Sequence, residues 1–240
     1  MSANLDEIDM VSIGIYTPVE AARLIKLPKA KLQRWIKGYK YRLPKLPDSF
    51  YLRKEPLVPP TLPQLEGYTA LTFLDLIELL FVKAFSERGV SLQYIRRAAA
   101  ESSQIFETSH PFAFKRLYTD GKYIFIDLQE EHGHGGLLEL VRGGQWVFHE
   151  IIQEYLEQIE FDTSTEIAIR WWPLGRSHPI VVDPKISFGA PIIESVGVPT
   201  AVVAEACLAE DSIDAVASWY ELSVKQVKEA LYFEETRMAA

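Results

Sequence analysis

Two segments of this chain, one near each end, have the pattern of two short helices joined by a tight turn. The first occupies 16–36, with its turn at 26–27, and the second occupies 212–231, with its turn at 221–222. Helices paired in this way form a helix-turn-helix unit, whose second helix commonly enters the major groove of DNA. Two such units, in a sequence with no visible catalytic constellation, favour a regulator that binds DNA over an enzyme.

The first unit carries clear signals for the ends of its helices. Thr17 is a suitable N-cap, Pro18 fits the first helical position, and Glu20 completes a capping box. Gly38 is predicted to end the second helix. The predicted buried face of that helix consists of Leu32, Trp35 and Ile36. Its polar side, which we expect to contact DNA, offers Lys29, Lys31, Gln33, Arg34 and Lys37.

A region rich in proline, tyrosine and basic residues follows the second helix. Proline disfavours a long helix there, and we predict a wing-like ribbon around 41–53 followed by an extended loop. Arg42 and Arg53 of this ribbon are further candidates for DNA contact. Gln33 is the best candidate for a base contact, because its amide can pair with adenine.

The overall charge hides a basic N-terminal segment attached to an acidic body. The formal net charge is -8, which taken whole argues against nucleic acid. Residues 21–54, however, hold eleven Lys or Arg and one acidic residue, whereas the rest of the chain has a net charge of -18. Screening limits electrostatic attraction to about 8–10 Å at physiological salt, so the local charge decides phosphate binding. We therefore interpret the basic segment as a phosphate-binding surface rather than an ordinary solvated face.

Two further predicted helices carry extensive apolar surface. The helix at 72–85 is apolar on most sides and must be buried in a core or against a partner chain. A shorter helix follows at 92–102. The segment 145–159 is amphipathic, and its apolar stripe is either an intrachain core face or a dimer seam. This surface, together with the two-fold symmetry of many operators, predicts a homodimer.

The middle of the chain has β character. Residues 116–126 predict a hairpin with Asp120-Gly121 at its turn, and 167–172 and 180–182 predict strands. We therefore expect a mainly α fold with short β elements (α+β), in which two helix-turn-helix units flank a mixed middle segment. The expected domains are 1–105, 106–179 and 180–240.

No constellation in the sequence indicates catalysis, a metal or a cofactor. His132, His134 and Glu130 lie in a glycine-rich segment, which favours a mobile loop over the rigid ligand set that zinc needs. No apolar run approaches the ~20 residues of a membrane span, and the acidic segment 1–10 lacks an apolar signal region. The single cysteine, Cys207, fits a reducing compartment. We predict a cytoplasmic, non-enzymatic protein with no cofactor and no membrane contact.

The second helix-turn-helix unit is the weaker candidate for DNA binding. Its last helix, predicted at 224–233, offers Lys225, Gln226 and Lys228 as secondary candidates. Acidic residues are interspersed with them, and each uncompensated acid near a phosphate opposes binding. We expect the first unit to bind DNA and the second to contribute to dimerisation or partner contact.

Four segments, YTPVEAARL at 16–24, LQRW at 32–35, LTFLDLI at 71–77 and ERGVSLQYI at 87–95, together resemble the MerR-type helix-turn-helix fold. The last two are similar to the helix pair that follows the wing in that family. The sequence departs from the family in its proline-rich insertion at 54–67 and in lacking a long terminal coiled coil.

Residues 180–235 resemble a small antitoxin domain, the domain-of-unknown-function family 433. The matching stretches are IVVDPKISFGAPII at 180–193, VPT at 198–200 and SIDAVASWYELS at 212–223. Members of this family are commonly encoded beside PIN-like ribonuclease toxins. The combination with the N-terminal unit resembles a long VapB-type antitoxin.

This resemblance implies the antitoxin of a type II toxin-antitoxin system. Such a protein would bind and inhibit a PIN-like ribonuclease toxin and bind double-stranded promoter DNA for autoregulation. Two alternatives stay open at this point. One is a stand-alone MerR-like transcriptional regulator, and the other is an interaction module in which neither helix-turn-helix unit touches DNA.

The same resemblance implies a candidate for toxin inhibition. PIN-like nucleases hold divalent metal with clustered carboxylates, and an inserted cation can neutralise such a site. Arg237 lies near the C-terminus, on a segment that we predict to be a tail outside any core. A guanidinium pairs bidentately with carboxylates and stays charged at all relevant pH. The alternative is a frayed terminus without a role.

Overall fold

The computed structural model describes residues 13–42, 51–64, 67–115, 117 and 153–238. The first helix-turn-helix unit is confirmed, with α1 at Pro18–Leu24 and α2 at Lys29–Lys37. The predicted capping box is present as well. The Glu20 N–H donates to Thr17 Oγ1 over 3.2 Å, and the Thr17 N–H donates to Glu20 Oε2 over 2.8 Å. These bonds satisfy N–H groups that the first turn of any helix leaves free.

The ribbon after α2 is confirmed in its two strands, β1 (Tyr39–Arg42) and β2 (Tyr51–Lys54), which pair antiparallel. Its tip lies outside the described residues. Gly38 has a φ of 70°, and a Cβ there would overlap the Lys54 carbonyl oxygen, so the turn into the ribbon requires glycine. The proline-rich segment that follows packs on the C-terminal end of α2, where the Leu57 and Val58 N–H groups donate to the Trp35 carbonyl.

The apolar helix is α3 (Phe73–Glu87), followed by α4 (Leu92–Ile105), which is three residues longer than predicted. Broad burial of α3 is confirmed, since most of its residues from Phe73 to Phe85 are buried and only its last turn reaches the surface. The cover comes from this same chain: α1, α2, α4 and the 3-10 turn Pro111–Ala113 all contribute to one apolar cluster with α3. The apolar surface of α3 therefore does not call for a partner chain.

Two carboxylates of α3 are buried and serve neighbouring segments. Asp75 accepts from the Thr72 N–H over 2.8 Å and from the Thr61 hydroxyl over 2.7 Å, which fixes the proline-rich segment. Glu78 accepts from the Phe112 and Ala113 N–H groups over 2.6 and 3.1 Å. Burial raises the pKa of Glu78 to about 8, and the two N–H bonds offset this only in part.

A five-stranded antiparallel sheet follows, with its strands in sequence order. It joins strands from both sides of the predicted boundary between residues 179 and 180. The predicted strands at 167–172 and 180–182 are confirmed. The five strands are β3 (Ile159–Phe161), β4 (Ala168–Trp171), β5 (Ile180–Val182), β6 (Pro191–Ile193) and β7 (Val198–Pro199).

The predicted helix at 145–159 was wrong at its end. Residues 153–158 are helical, but Ile159 begins β3 and pairs with Trp171. Strand pairing buries Ile159 in the main apolar cluster, and this tertiary contact overrides the helical spacing of the local sequence. The rest of that segment and the His132–His134 region lie outside the described residues, as does the predicted hairpin except for Leu117, which is buried in the main apolar cluster.

Three helices complete the chain: α5 (Thr200–Glu210), α6 (Ile213–Trp219) and α7 (Val224–Met238). The pair α6–α7 is the predicted second helix-turn-helix unit. These helices share a small core that contains Val203, Val216 and Val227. The last helix extends five residues beyond its predicted end at 233, because Phe233 is buried beneath its final turns.

The segment just before α1 contacts the loop between β5 and β6. The Ile15 N–H donates to the Phe188 carbonyl over 3.0 Å, and the Tyr16 hydroxyl donates to the Gly189 carbonyl over 2.9 Å. Gly189 has a φ of 82°, and a Cβ there would overlap the Tyr16 hydroxyl. We call these contacts the Tyr16–Gly189 clasp. It attaches the loop between β5 and β6 to the residue that precedes the N-cap of α1.

We predict that a methyl group added at Gly189, in the centre of the clasp, strongly destabilises the folded protein. Gly189→Ala should lower the free energy of unfolding by about 2–4 kcal/mol, because it adds a steric overlap to the left-handed backbone strain. Gly175→Ala is the matched control, since Gly175 has a φ of 87° and no neighbour within 4 Å. That variant should lose about 1 kcal/mol. Denaturant unfolding measures both, and equal losses would contradict the proposed role of the clasp.

Glu78 predicts a pH-dependent stability. Its folded pKa lies near 8, above its ordinary value of 4.5, so the unfolded chain releases this proton first as pH rises. The free energy of unfolding should therefore fall between about pH 5 and pH 8, by up to about 4 kcal/mol from this group. Glu78→Gln keeps an acceptor for the two N–H groups and should remove that part of the slope. Exposed Glu205→Gln is the control, and parallel pH profiles for wild type and Glu78→Gln would refute the assignment.

Candidate nucleic-acid interface

The outward side of α2 carries a row of polar side chains. Leu32, Trp35 and Ile36 anchor the helix in the main core, as predicted. Lys29, Gln33 and Lys37 are all exposed and follow one another at four-residue intervals. Residues at this spacing lie on one helical face, so the three side chains can reach the same groove.

The other two predicted contacts on α2 are held against aromatic rings. Lys31 is half-buried, and its Nζ lies 5.0 Å from the centroid of the Trp35 ring. Arg34 is exposed, and its guanidinium lies 4.2 Å from the centroid of the Tyr39 ring, which belongs to β1. Cation–π contact keeps both charges while it restricts their side chains. Arg34 therefore connects the recognition helix to the wing.

The outward face of the wing is more basic than the sequence analysis predicted. Arg42 and Arg53 are exposed as expected, and Lys40 lies opposite Arg53 on the same face. Lys40 was missed, although the two-residue alternation of a strand places it beside Arg42. Glu55 lies 3.5 Å from the Arg53 guanidinium and offsets part of its charge.

The surface formed by α2 and the two wing strands has a uniform sign. No acidic residue occurs between Glu20 and Asp48 in the sequence, nor between Tyr51 and Lys54. We call the outward residues of α2 and the wing the basic surface. Its members are Lys29, Lys31, Gln33, Arg34, Lys37, Lys40, Arg42 and Arg53.

The second helix-turn-helix unit presents a different chemistry. Lys225 and Lys228 are exposed, but Gln226 is engaged within the chain. Its Oε1 accepts from the Ser223 N–H and hydroxyl over 2.9 and 2.8 Å, and its Nε2 donates to the Ser195 hydroxyl over 2.8 Å. Ser223 and Gln226 thus form a capping box for α7. The Ser-x-x-Gln spacing is the sequence signal for this role, and these intrachain bonds make Gln226 a weaker candidate for DNA contact.

Acidic neighbours surround these two lysines. Glu229 lies one turn from Lys225 and next to Lys228, and its carboxylate is 2.8 Å from His178 Nδ1. Glu221 is exposed in the turn that precedes α7. The local charge is thus mixed, in contrast to the basic surface.

Arg237 does not lie on a free tail, so that prediction was wrong. It belongs to the last turn of α7, its side chain is only 17% exposed, and it forms an ion pair with Glu234. Its guanidinium also lies 6.0 Å from the centroid of the Phe233 ring. A cation in the last turn stabilises the helix dipole, which together with these contacts explains why the helix continues.

The architecture combines two units, and each of them matches a known protein family. It has an N-terminal winged helix-turn-helix unit and a C-terminal unit of a small sheet and three helices. Residues 14–99 match the family described as "Putative DNA-binding HTH domain". Residues 180–233 match DUF433, described as a protein of unknown function.

A curated relative and a solved structure, both from Mycobacterium tuberculosis, are similar to nearly the whole chain. "Putative antitoxin VapB45" is 31% identical over 228 residues, which cover 91% of this chain and 93% of the relative. The crystal structure of Rv2018 is 30% identical, with a TM-score of 0.71 over 90% of this chain and 96% of that one. The chain therefore belongs to the same antitoxin family as VapB45.

A membrane span requires a helix of sufficient length and hydropathy. Across the residues that the structure describes, no helix is both long enough and apolar enough to span a bilayer.

Proposed function

We propose that this protein is the antitoxin of a type II toxin-antitoxin system. In this proposal it binds and inhibits a PIN-like ribonuclease toxin, and it binds promoter DNA as a homodimer to regulate its own synthesis. The observation that carries the DNA-binding part is the acid-free basic surface on a winged helix-turn-helix unit. Membership of the VapB45 family supports the toxin-binding part.

The basic surface has two functional components. The row Lys29, Gln33 and Lys37 is free to enter the major groove, where the Gln33 amide can pair with adenine. The wing cations Lys40, Arg42 and Arg53 lie on a separate element and suit the neighbouring phosphates. Phosphate contacts position a protein on the duplex, and base contacts select the sequence. The surface offers both kinds of group.

For Arg237 to inhibit the toxin, it must exchange its ion pair with Glu234 for a carboxylate of the toxin. Its guanidinium would have to leave Glu234, which also accepts a hydrogen bond from the Thr200 hydroxyl. A toxin carboxylate cluster with several charges can compete for it, whereas a single carboxylate offers no gain over Glu234.

DNA binding predicts a difference between the two helix-turn-helix units. Lys29→Ala/Lys37→Ala should weaken binding to the protein's own promoter fragment and lower the slope of log affinity against log salt by about one for each lost phosphate contact. Lys31→Ala/Arg34→Ala should do the same and also loosen the wing. Lys225→Ala/Lys228→Ala is the matched control, with two lysines removed from the second unit. Fluorescence anisotropy over a salt series measures all three, and equal slopes in wild type and the first two variants would contradict the assignment.

The homodimer rests on DNA recognition rather than on α3, which this chain covers by itself. Paired half-sites in an operator are met by a two-fold symmetric protein. Light scattering of the protein without toxin, at micromolar concentration, should give twice the chain mass of 27.3 kDa. A clean monomer mass under these conditions would refute the dimer and leave DNA binding to be tested by the salt series.

A further inference from the structure

The α5–α6 side of the C-terminal unit exposes large apolar side chains. Leu208, at the end of α5, is 84% exposed, Trp219, at the end of α6, is 59% exposed, and Val202 is 39% exposed. A single exposed leucine is ordinary. Here, however, α5 is apolar on its outer as well as its inner side, since Val203 lies in the core while Val202 and Leu208 face solvent. A helix with this pattern is usually covered on both sides.

The stretch that contains α5 and α6 is acidic, and the nearest basic residues in the sequence, Lys185 and Lys225, flank it. Residues 186–224 contain six acidic residues and no Lys or Arg. Glu205 lies between Val202 and Leu208 on α5, and Asp214 lies in the first turn of α6. Both are exposed, and neither forms an ion pair with the described part of the chain. The two helices pack together through Val203 and Val216, and we call their exposed residues the acidic–apolar face: Val202, Glu205 and Leu208 of α5 with Asp214 and Trp219 of α6.

This charge decides between occupants. DNA is excluded because its phosphates repel the carboxylates. A second copy of this chain is disfavoured, because a two-fold interface would place the same acidic patch against itself. A partner with a basic surface is attracted instead, and its association is accelerated by the opposite charges.

We propose that the acidic–apolar face is the docking surface for the basic RNA-binding cleft of the toxin. The proposal rests on the proposed function, and it assigns the surface that performs the inhibition. A ribonuclease must bind a polyanion, so its substrate cleft carries cations and groups on which bases stack. Glu205 and Asp214 present negative charge of the kind that RNA phosphates supply. Trp219 presents an aromatic ring where a base would stack, and Leu208 adds apolar area that free RNA lacks.

The face is held in place before binding. Val203, Val216 and Val227 join α5, α6 and α7 in one core. Ser212 caps α6 by accepting from the Ala215 N–H over 3.2 Å, and the turn between α5 and α6 is closed by a hydrogen bond from the Asp211 N–H to the Cys207 carbonyl. A surface that is ordered in advance loses less entropy on binding.

The test uses the full-length protein and the PIN-like ribonuclease encoded beside its gene. Leu208→Ser/Trp219→Ser removes the apolar contacts, and Glu205→Lys/Asp214→Lys reverses the charges. Each pair is expected to raise the Kd for the ribonuclease at least about tenfold and to relieve inhibition of RNA cleavage in proportion. The charge-reversed variant should also lose the salt dependence of the association rate. Ile105→Ser is the matched control, since Ile105 is 60% exposed on α4, and its Kd should stay within about twofold of the wild type.

Each result has a defined meaning. If the wild-type protein does not bind the ribonuclease, or no such gene is present, the proposed antitoxin function fails. If the wild type binds and both variants, folded by circular dichroism, bind equally well, the docking surface is overturned while the function stands. If the variants instead change only the mass of the free protein in light scattering, the occupant is a second copy and the proposal is again overturned.

Discussion

Burial of α3 is the constraint on which the rest of the N-terminal unit depends. A helix that is apolar on most sides has to be covered on most sides, and no single neighbour can do this. The cover therefore includes the helix-turn-helix pair, α4 and the 3-10 turn. Asp75 and Glu78 add polar contacts from the same helix to the proline-rich segment and to the 3-10 turn. The orientation of α2 thus depends on a buried core helix.

The Tyr16–Gly189 clasp connects the N-terminal unit, whose helices are held by α3, to the five-stranded sheet. Thr17, the N-cap of α1, directly follows a residue whose hydroxyl is bonded to the loop between β5 and β6. That loop contains Ser187 and Phe188, both with positive φ, before Gly189. Non-glycine residues hold such angles only where their surroundings impose them. The clasp therefore contributes to the placement of the first helix-turn-helix unit relative to the sheet.

Local patterns were sufficient to predict the helices and the capping box of the first helix-turn-helix unit, because their signals lie within four positions of one another. The wing strands were also predicted, although they pair across a longer loop, because the proline-rich composition disfavours a helix there. The same patterns failed where distant contacts decide. Ile159 has helical spacing but pairs with Trp171 in a sheet, and Arg237 continues a helix because Glu234 and Phe233 retain it. At the candidate site, the cations were predicted by type and position. The rings that hold Lys31 and Arg34 follow from the fold, whereas the role of Gln226 was readable from its spacing to Ser223.

The separation of charge along the chain gives the two ends opposite chemistries. In the proposed function, the protein attracts a polyanion and also binds a ribonuclease that itself attracts polyanions. One surface cannot do both, since a basic patch that binds DNA would repel the cations of a ribonuclease. Screening confines each field to about 8–10 Å at physiological salt, so a basic and an acidic surface can coexist on one chain without cancelling. The net charge of -8 combines a basic segment at 21–54 with an acidic remainder of the chain, and the placement of these charges, rather than their sum, governs the contacts proposed for the protein.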